Sequence, residues 1–102
     1  MLLFWAEETK DDFRRFDNFL HQENPQAAIH AAKTIRQKAL ILSDHPKFGI
    51  LLNEKTGIRQ LVIPFGKAAY ILRYFPDYEA NMIRILRVWH SREIRSWTDL
   101  KE

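Results

Sequence analysis

Apolar and polar positions alternate along this chain in two distinct periods. Leu2, Leu3, Phe4 and Trp5 form a short apolar run that predicts a buried strand over 2–5. Behind it, Thr9, Phe13, Phe16 and Leu20 recur at spacings of four, three and four, which is one face of a helix over about 7–21. Asp11, Arg14, Arg15 and Asn18 fall away from that line, and Glu7 and Glu8 sit in the first turn, where the helix dipole favours acidic side chains. Asn24-Pro25 then marks a second helix start. Asn caps free backbone N–H groups, and Pro has the φ angle of a first helical position. The inward positions of this helix are expected to be Ala28, Ala32, Ile35, Ala39 and Leu42, with His45-Pro46 as its stop. The short link between the two helices predicts an antiparallel helical hairpin.

Beyond Pro46 the period shortens. Residues 58–63, 68–74 and 82–89 are rich in β-branched and aromatic residues and predict three strands. Pro64-Phe65-Gly66 and Pro76-Asp77-Tyr78-Glu79 supply the turns between them. In the last strand, Ile83 and Ile85 are expected on one face and Leu86 and Val88 on the other, as in a central strand covered on both sides. The predicted fold class is therefore α+β: an N-terminal strand, a helical hairpin, then a three-stranded antiparallel meander, with the helices packed on one sheet face. A length of 102 residues with no linker or repeat fits a single domain over 1–102.

Composition narrows the function classes. No cysteine is present, which excludes disulfides and thiolate metal sites. His21, His30, His45 and His90 show no metal-ligand spacing, and three glycines form no phosphate-cradling loop, so neither metal nor cofactor is expected. The apolar start meets Glu7 and Glu8 too soon for a signal peptide, and no apolar run approaches a membrane span. A cytoplasmic protein without membrane contact is expected. The net charge of +3 is unevenly placed. Residues 1–57 carry eight basic and eight acidic side chains, whereas 58–102 carry eight and five. Arg84, Arg87, Arg92 and Arg95 cluster there with only Glu93 among them, which suits an acidic partner or, equally, a solvated strand end.

The order of these elements and several local motifs resemble the RelE/ParE superfamily of bacterial toxins. Trp5-Ala6 followed by Asp11-Asp12 is similar to the family's opening, and Asn24-Pro25-x-Ala27-Ala28 to its second helix. Leu42-Ser43-Asp44-His45-Pro46-Lys47-Phe48-Gly49 resembles the exit from that helix. Gly57-Ile58-Arg59-Gln60-Leu61-Val62-Ile63, Phe65-Gly66-Lys67 and Tyr70 resemble the ParE-type strand pair. Ile85-Leu86-Arg87-Val88-Trp89-His90-Ser91-Arg92-Glu93 resembles the last strand, with its terminal histidine and short basic segment. The resemblance spans nearly the whole chain. It implies the toxin of a type II toxin–antitoxin module, held in a hetero-oligomer by a cognate antitoxin that wraps it. One branch of the superfamily poisons DNA gyrase by protein contact; the other cleaves mRNA on the ribosome.

The two branches make different demands on residues. Metal-free RNA cleavage needs a base for the ribose 2′-OH, cations for the phosphate and an acid for the leaving oxygen. Under that reading His90, Arg59 and Arg87 would be catalytic, with Arg73, Arg92 and Glu54 as further candidates. In the nuclease branch an arginine follows the tyrosine that opens the third strand, but Ile71 follows Tyr70 here. A tyrosine near the chain's end is also absent; Trp97 stands nearest, and an indole is neither acid nor base. These departures and the modest charge favour the gyrase branch, with no catalytic residues. The expected target-binding residues are then Arg87, His90, Arg92, Arg95 and Trp97, and the expected antitoxin-binding residues Phe19, Arg59 and Arg73. A bland role remains open for each: His90 as a strand-end residue, Trp97 as tail packing, Arg59 as a sheet residue.

Overall fold

A computed structural model describes residues 1–93. Strand β1 (Leu2–Trp5) leads into helix α1 (Glu7–Glu23) and helix α2 (Pro25–Ala39). A single helical turn, α3 (Ile41–Asp44), follows. Strands β2 (Ile50–Leu51), β3 (Arg59–Phe65), β4 (Ala68–Asp77) and β5 (Met82–His90) complete one five-stranded sheet in the order β1-β5-β4-β3-β2. The predicted meander is therefore the antiparallel heart of a wider sheet. β1 adds to one edge, running parallel to β5, and the two-residue β2 adds to the other. No helix among the described residues is long and apolar enough to cross a membrane.

The helices cover one sheet face, as expected. Phe16 and Leu20 of α1 and Ala28, Ala31, Ile35 and Ala39 of α2 pack on Leu61, Ile63, Tyr70, Leu72, Tyr74, Ile83, Ile85 and Val88. The Asn24 side chain accepts from the Ala27 N–H and Pro25 occupies the first turn, so the helix start read from sequence forms by the expected chemistry. Two details differ. Ala31, rather than Ala32, is the buried member of its turn. Neighbouring alanines carry no size signal that would separate them. The helix also breaks at Leu40 before α3 begins, while Leu42 keeps its predicted buried place.

The strands correct the expectation in two further places. Pro64, read as a turn residue, lies within β3, and Pro76 lies within β4. Each occupies a stretch paired on one side only, because β2 covers just Arg59 and Gln60 of β3, and β3 reaches only Tyr74 of β4. Edge positions tolerate a residue without an N–H. The second correction is in β5. Arg73 pairs with Arg87 and Tyr74 with Ile85, so Leu86 has no cross-strand partner. This bulge adds one residue to the alternation and returns Val88 to the face of Ile83 and Ile85. Arg87 and Trp89 consequently turn to the opposite face.

The far end of the sheet is tied to the loop after α3. The Tyr74 hydroxyl donates to the Pro46 carbonyl at 2.8 Å and accepts from the Gly49 N–H at 2.8 Å. Arg59 donates to the Gly49 and Lys47 carbonyls at 2.7 and 3.2 Å. Gly49 is required there: a Cβ would stand 2.7 Å from the Gln60 carbonyl oxygen and 2.8 Å from the Tyr74 ring.

Candidate functional site

The bulge in β5 builds a polar seam between that strand and α1. β1 pairs with β5 only as far as Ile85, which leaves the later part of that edge without a strand neighbour. Side chains take the neighbour's place. Asp12, 1% exposed, accepts from the Val88 N–H at 2.9 Å and from the Arg87 guanidinium through both oxygens, each at 2.9 Å. Arg15 donates to Asp12 at 2.7 Å, to the Val88 carbonyl at 3.2 Å and to Glu93 at 2.6 Å. The other Glu93 oxygen accepts from the His90 N–H at 2.8 Å. The strand edge is thus hydrogen-bonded by α1 and by the residue that follows the last turn.

Burial pushes the Asp12 carboxyl up, but the Arg87 guanidinium, the Val88 N–H and Arg15 together hold it below the ordinary carboxylate value. Burial works against the Arg15 charge, yet Glu93 and Asp12 raise its pKa further. For Arg87, the bond to Asp12 is the largest influence and again raises the pKa. Asp12, Arg15 and Arg87 are therefore charged across the ordinary pH range.

On the sheet face away from the helices lie Arg73, Arg84 and Arg87, each engaged. Arg73 donates to Gln60 at 3.3 Å and stands 5.2 Å from the Trp89 ring centroid. Arg84 pairs with Asp77 at 3.0 Å and stands 5.6 Å from the Phe4 ring. Hydrogen bonds to the Ala80 N–H and to Arg84 lower the Asp77 pKa. Ile71 and Trp89 form a small separate buried cluster on this face.

His90 takes a different direction. It is buried on the helix-covered face, its ring 5.4 Å from Phe19 and 5.5 Å, edge-on, from Tyr70. Its Nδ1 accepts from the Arg92 N–H at 3.1 Å, so the neutral ring carries its proton on Nε2. Together with Phe65, Lys67 and Arg92, it lines an open cavity of about 230 Å³ where the α1–α2 turn meets the β3–β4 turn. Tyr70 stands behind it, fully buried. Its hydroxyl has no hydrogen-bond partner among the described residues, and burial raises its pKa.

The residues singled out from sequence therefore separate. The expected target patch divides: Arg87 is closed by Asp12 on one side of the sheet, while His90 and Arg92 belong to the cavity on the other. Arg95 and Trp97 lie outside the described residues. Of the expected antitoxin residues, Phe19 lines the cavity, Arg73 lies on the open face and Arg59 holds the loop after α3. As a catalytic set, His90, Arg59 and Arg87 do not converge. Arg59 pairs across from Tyr74 and His90 from Tyr70, four residues apart on β4, or roughly 13 Å. Glu54 is an exposed loop residue. Sequence reasoning missed Asp12, Arg15 and Glu93 as a unit; Asp12 entered only as part of an acidic pair, and Arg15 was placed away from the packed face.

The sequence model described as "ParE toxin of type II toxin-antitoxin system, parDE" matches residues 3–95. The chain is 30% identical over 86 residues to Toxin RelE1 of Caulobacter vibrioides, across 84% of this chain and 88% of that protein. Among solved structures it is similar to "Chromosomal ParDE TA system from P. aeruginosa", with a TM-score of 0.70 and 18% identity over 90% of this chain and 97% of that one. At that identity the structural likeness concerns the fold.

Proposed function

The chain belongs to the ParE toxin family of type II toxin–antitoxin systems, and from that premise we propose that it arrests growth by binding DNA gyrase rather than by cutting RNA. A cognate antitoxin neutralises it in a cytoplasmic hetero-oligomer. The protein works without a catalytic residue, metal or cofactor.

The observation that carries this reading is the occupation and separation of His90, Arg59 and Arg87. A general base must offer a free lone pair to the proton it removes. In the His90 ring, the unprotonated Nδ1 faces the Arg92 N–H. Of the cations that a phosphate would need, the Arg87 guanidinium is bidentate on Asp12 and Arg59 is bonded to two backbone carbonyls, which leaves Arg92 as the one unpaired guanidinium beside His90 among the described residues. The three residues also stand apart: Arg59 and His90 pair with positions four residues apart along β4, roughly 13 Å, and Arg87 is turned to the other sheet face. A binding surface does not require them to converge.

One observation favours the ribosomal alternative: the relative at 30% identity carries the name RelE. A reconstituted translation reaction separates the readings. With folded protein added, we expect primer extension to show no new mRNA ends. Cuts within codons that disappear in His90→Ala, while the variant keeps its melting temperature, would replace the gyrase reading with the nuclease one.

A further inference from the structure

Among the described residues, the arginine guanidinium groups are engaged almost throughout. Arg14, Arg15, Arg84 and Arg87 meet carboxylates, Arg59 meets carbonyls, Arg73 meets Gln60, and Arg36 lies 5.2 Å from the Phe13 ring. Arg92 is the exception. Its backbone N–H serves His90, but its guanidinium is exposed and has no partner among the described residues. Lys67 is likewise exposed and has no ion-pair partner among them. These two side chains line the same cavity as Phe19 and Phe65, and no acidic residue among the described ones lines it with them. Among the described residues, then, this concave, partly aromatic site holds two cations and no counter-ion.

The chemistry of the missing anion can be narrowed. Phosphate groups are usually gripped by several convergent backbone N–H groups at a helix start or in a nest. The start of α2 adjoins this cavity through Asn24 and Ala27, but only the Gln26 N–H is left over there, one donor rather than a convergent set. Pro25 has none, the Ala27 N–H is held by the Asn24 side chain, and the Ala28 N–H by the Asn24 carbonyl. What remains, beside that one donor, is two long, exposed cations over a cleft lined by Phe19 and Phe65. That combination suits a carboxylate on a flexible side chain, beside an apolar group that can lie against Phe19 and Phe65.

We infer that the cavity between the α1–α2 and β3–β4 turns receives an acidic side chain of the antitoxin, held by Lys67 and Arg92, with an adjoining apolar residue against Phe19 and Phe65. The inference rests on the toxin–antitoxin reading and assigns part of its recognition to one site. Exposed ion pairs are individually weak, so the site sets specificity and salt dependence more than total affinity.

The test measures the affinity of the folded chain for the antitoxin encoded with it, at low and high salt. Three proteins are compared: wild type, K67Q/R92Q, and a K33Q/K55Q control that removes the same charge from exposed positions elsewhere. Two exposed pairs lost together should weaken binding by about 5- to 30-fold at low salt and flatten the salt dependence. The control should bind within about two-fold of wild type. Equal binding by K67Q/R92Q and the control, with wild type binding tightly, would overturn this inference alone. No binding by wild type would overturn the toxin–antitoxin reading beneath it. If K67Q/R92Q keeps antitoxin affinity but loses binding of a 5′-phosphorylated single-stranded RNA oligomer, the carboxylate assignment is wrong and a phosphate takes its place.

Discussion

The α1–β5 seam and the corner cavity lie on either side of His90, and they treat charge in opposite ways. In the seam, Asp12, Arg15, Arg87 and Glu93 answer one another, and their remaining bonds complete a strand edge. In the corner, Lys67 and Arg92 face solvent with no counter-ion among the described residues. Arg87 and Arg92 are five residues apart and look alike in sequence, yet one belongs to the fold and the other is available to a partner. Charge density along the chain therefore overstates the free positive surface. What matters is which cations the fold has already neutralised.

Mutation should separate the two regions sharply. The largest effect is expected from Asp12→Ala, which strands the Arg87 guanidinium and the Val88 N–H and takes one of three partners from Arg15; about 3 kcal/mol of stability should be lost. Urea unfolding would measure it, and a loss below 1 kcal/mol would show that the seam is not a stabilising unit. The same carboxylate predicts an acid limit. Its folded pKa lies below its unfolded value, so its stabilisation is complete above the unfolded carboxylate value of about 4 and is lost as pH falls through the folded value. Melting temperature should fall more steeply below pH 4 in wild type than in Asp12→Asn.

Two tyrosines on β4 give a smaller contrast. Both Tyr70 and Tyr74 are fully buried. Tyr74→Phe removes a hydroxyl bonded to Pro46 and Gly49 and should cost about 1–2 kcal/mol. Tyr70→Phe removes a hydroxyl with no hydrogen-bond partner among the described residues and should leave stability equal or slightly raised. A calorimetric melt of each would decide, and equal losses would contradict the assignment of the two hydroxyls. The smallest effect is expected from K67Q/R92Q, whose stability should stay within about 0.5 kcal/mol of wild type.

Much of the layer plan was legible because it depends on local period. Phe16 and Leu20 announced the buried side of α1, Asn24-Pro25 the start of α2, and β-branched runs the strands. The seam was not legible, for two physical reasons. Asp12 meets Arg87 across 75 residues of chain, and no local spacing encodes that meeting. Leu86 shifts the alternation by one residue, so strict period two put Val88 on the wrong face and hid the direction of Arg87 and His90. The edge that Asp12 and Glu93 complete exists only because β1 stops short at Trp5, a matter of tertiary pairing. Glu93, the single acidic residue in a basic stretch, was the one available hint.

The most direct measurement of the central claim is supercoiling by purified gyrase with increasing amounts of the folded protein. The account predicts dose-dependent inhibition that is reversed by adding the antitoxin and retained in His90→Ala variants that keep their fold. Unchanged supercoiling at a large molar excess of demonstrably folded protein would contradict it.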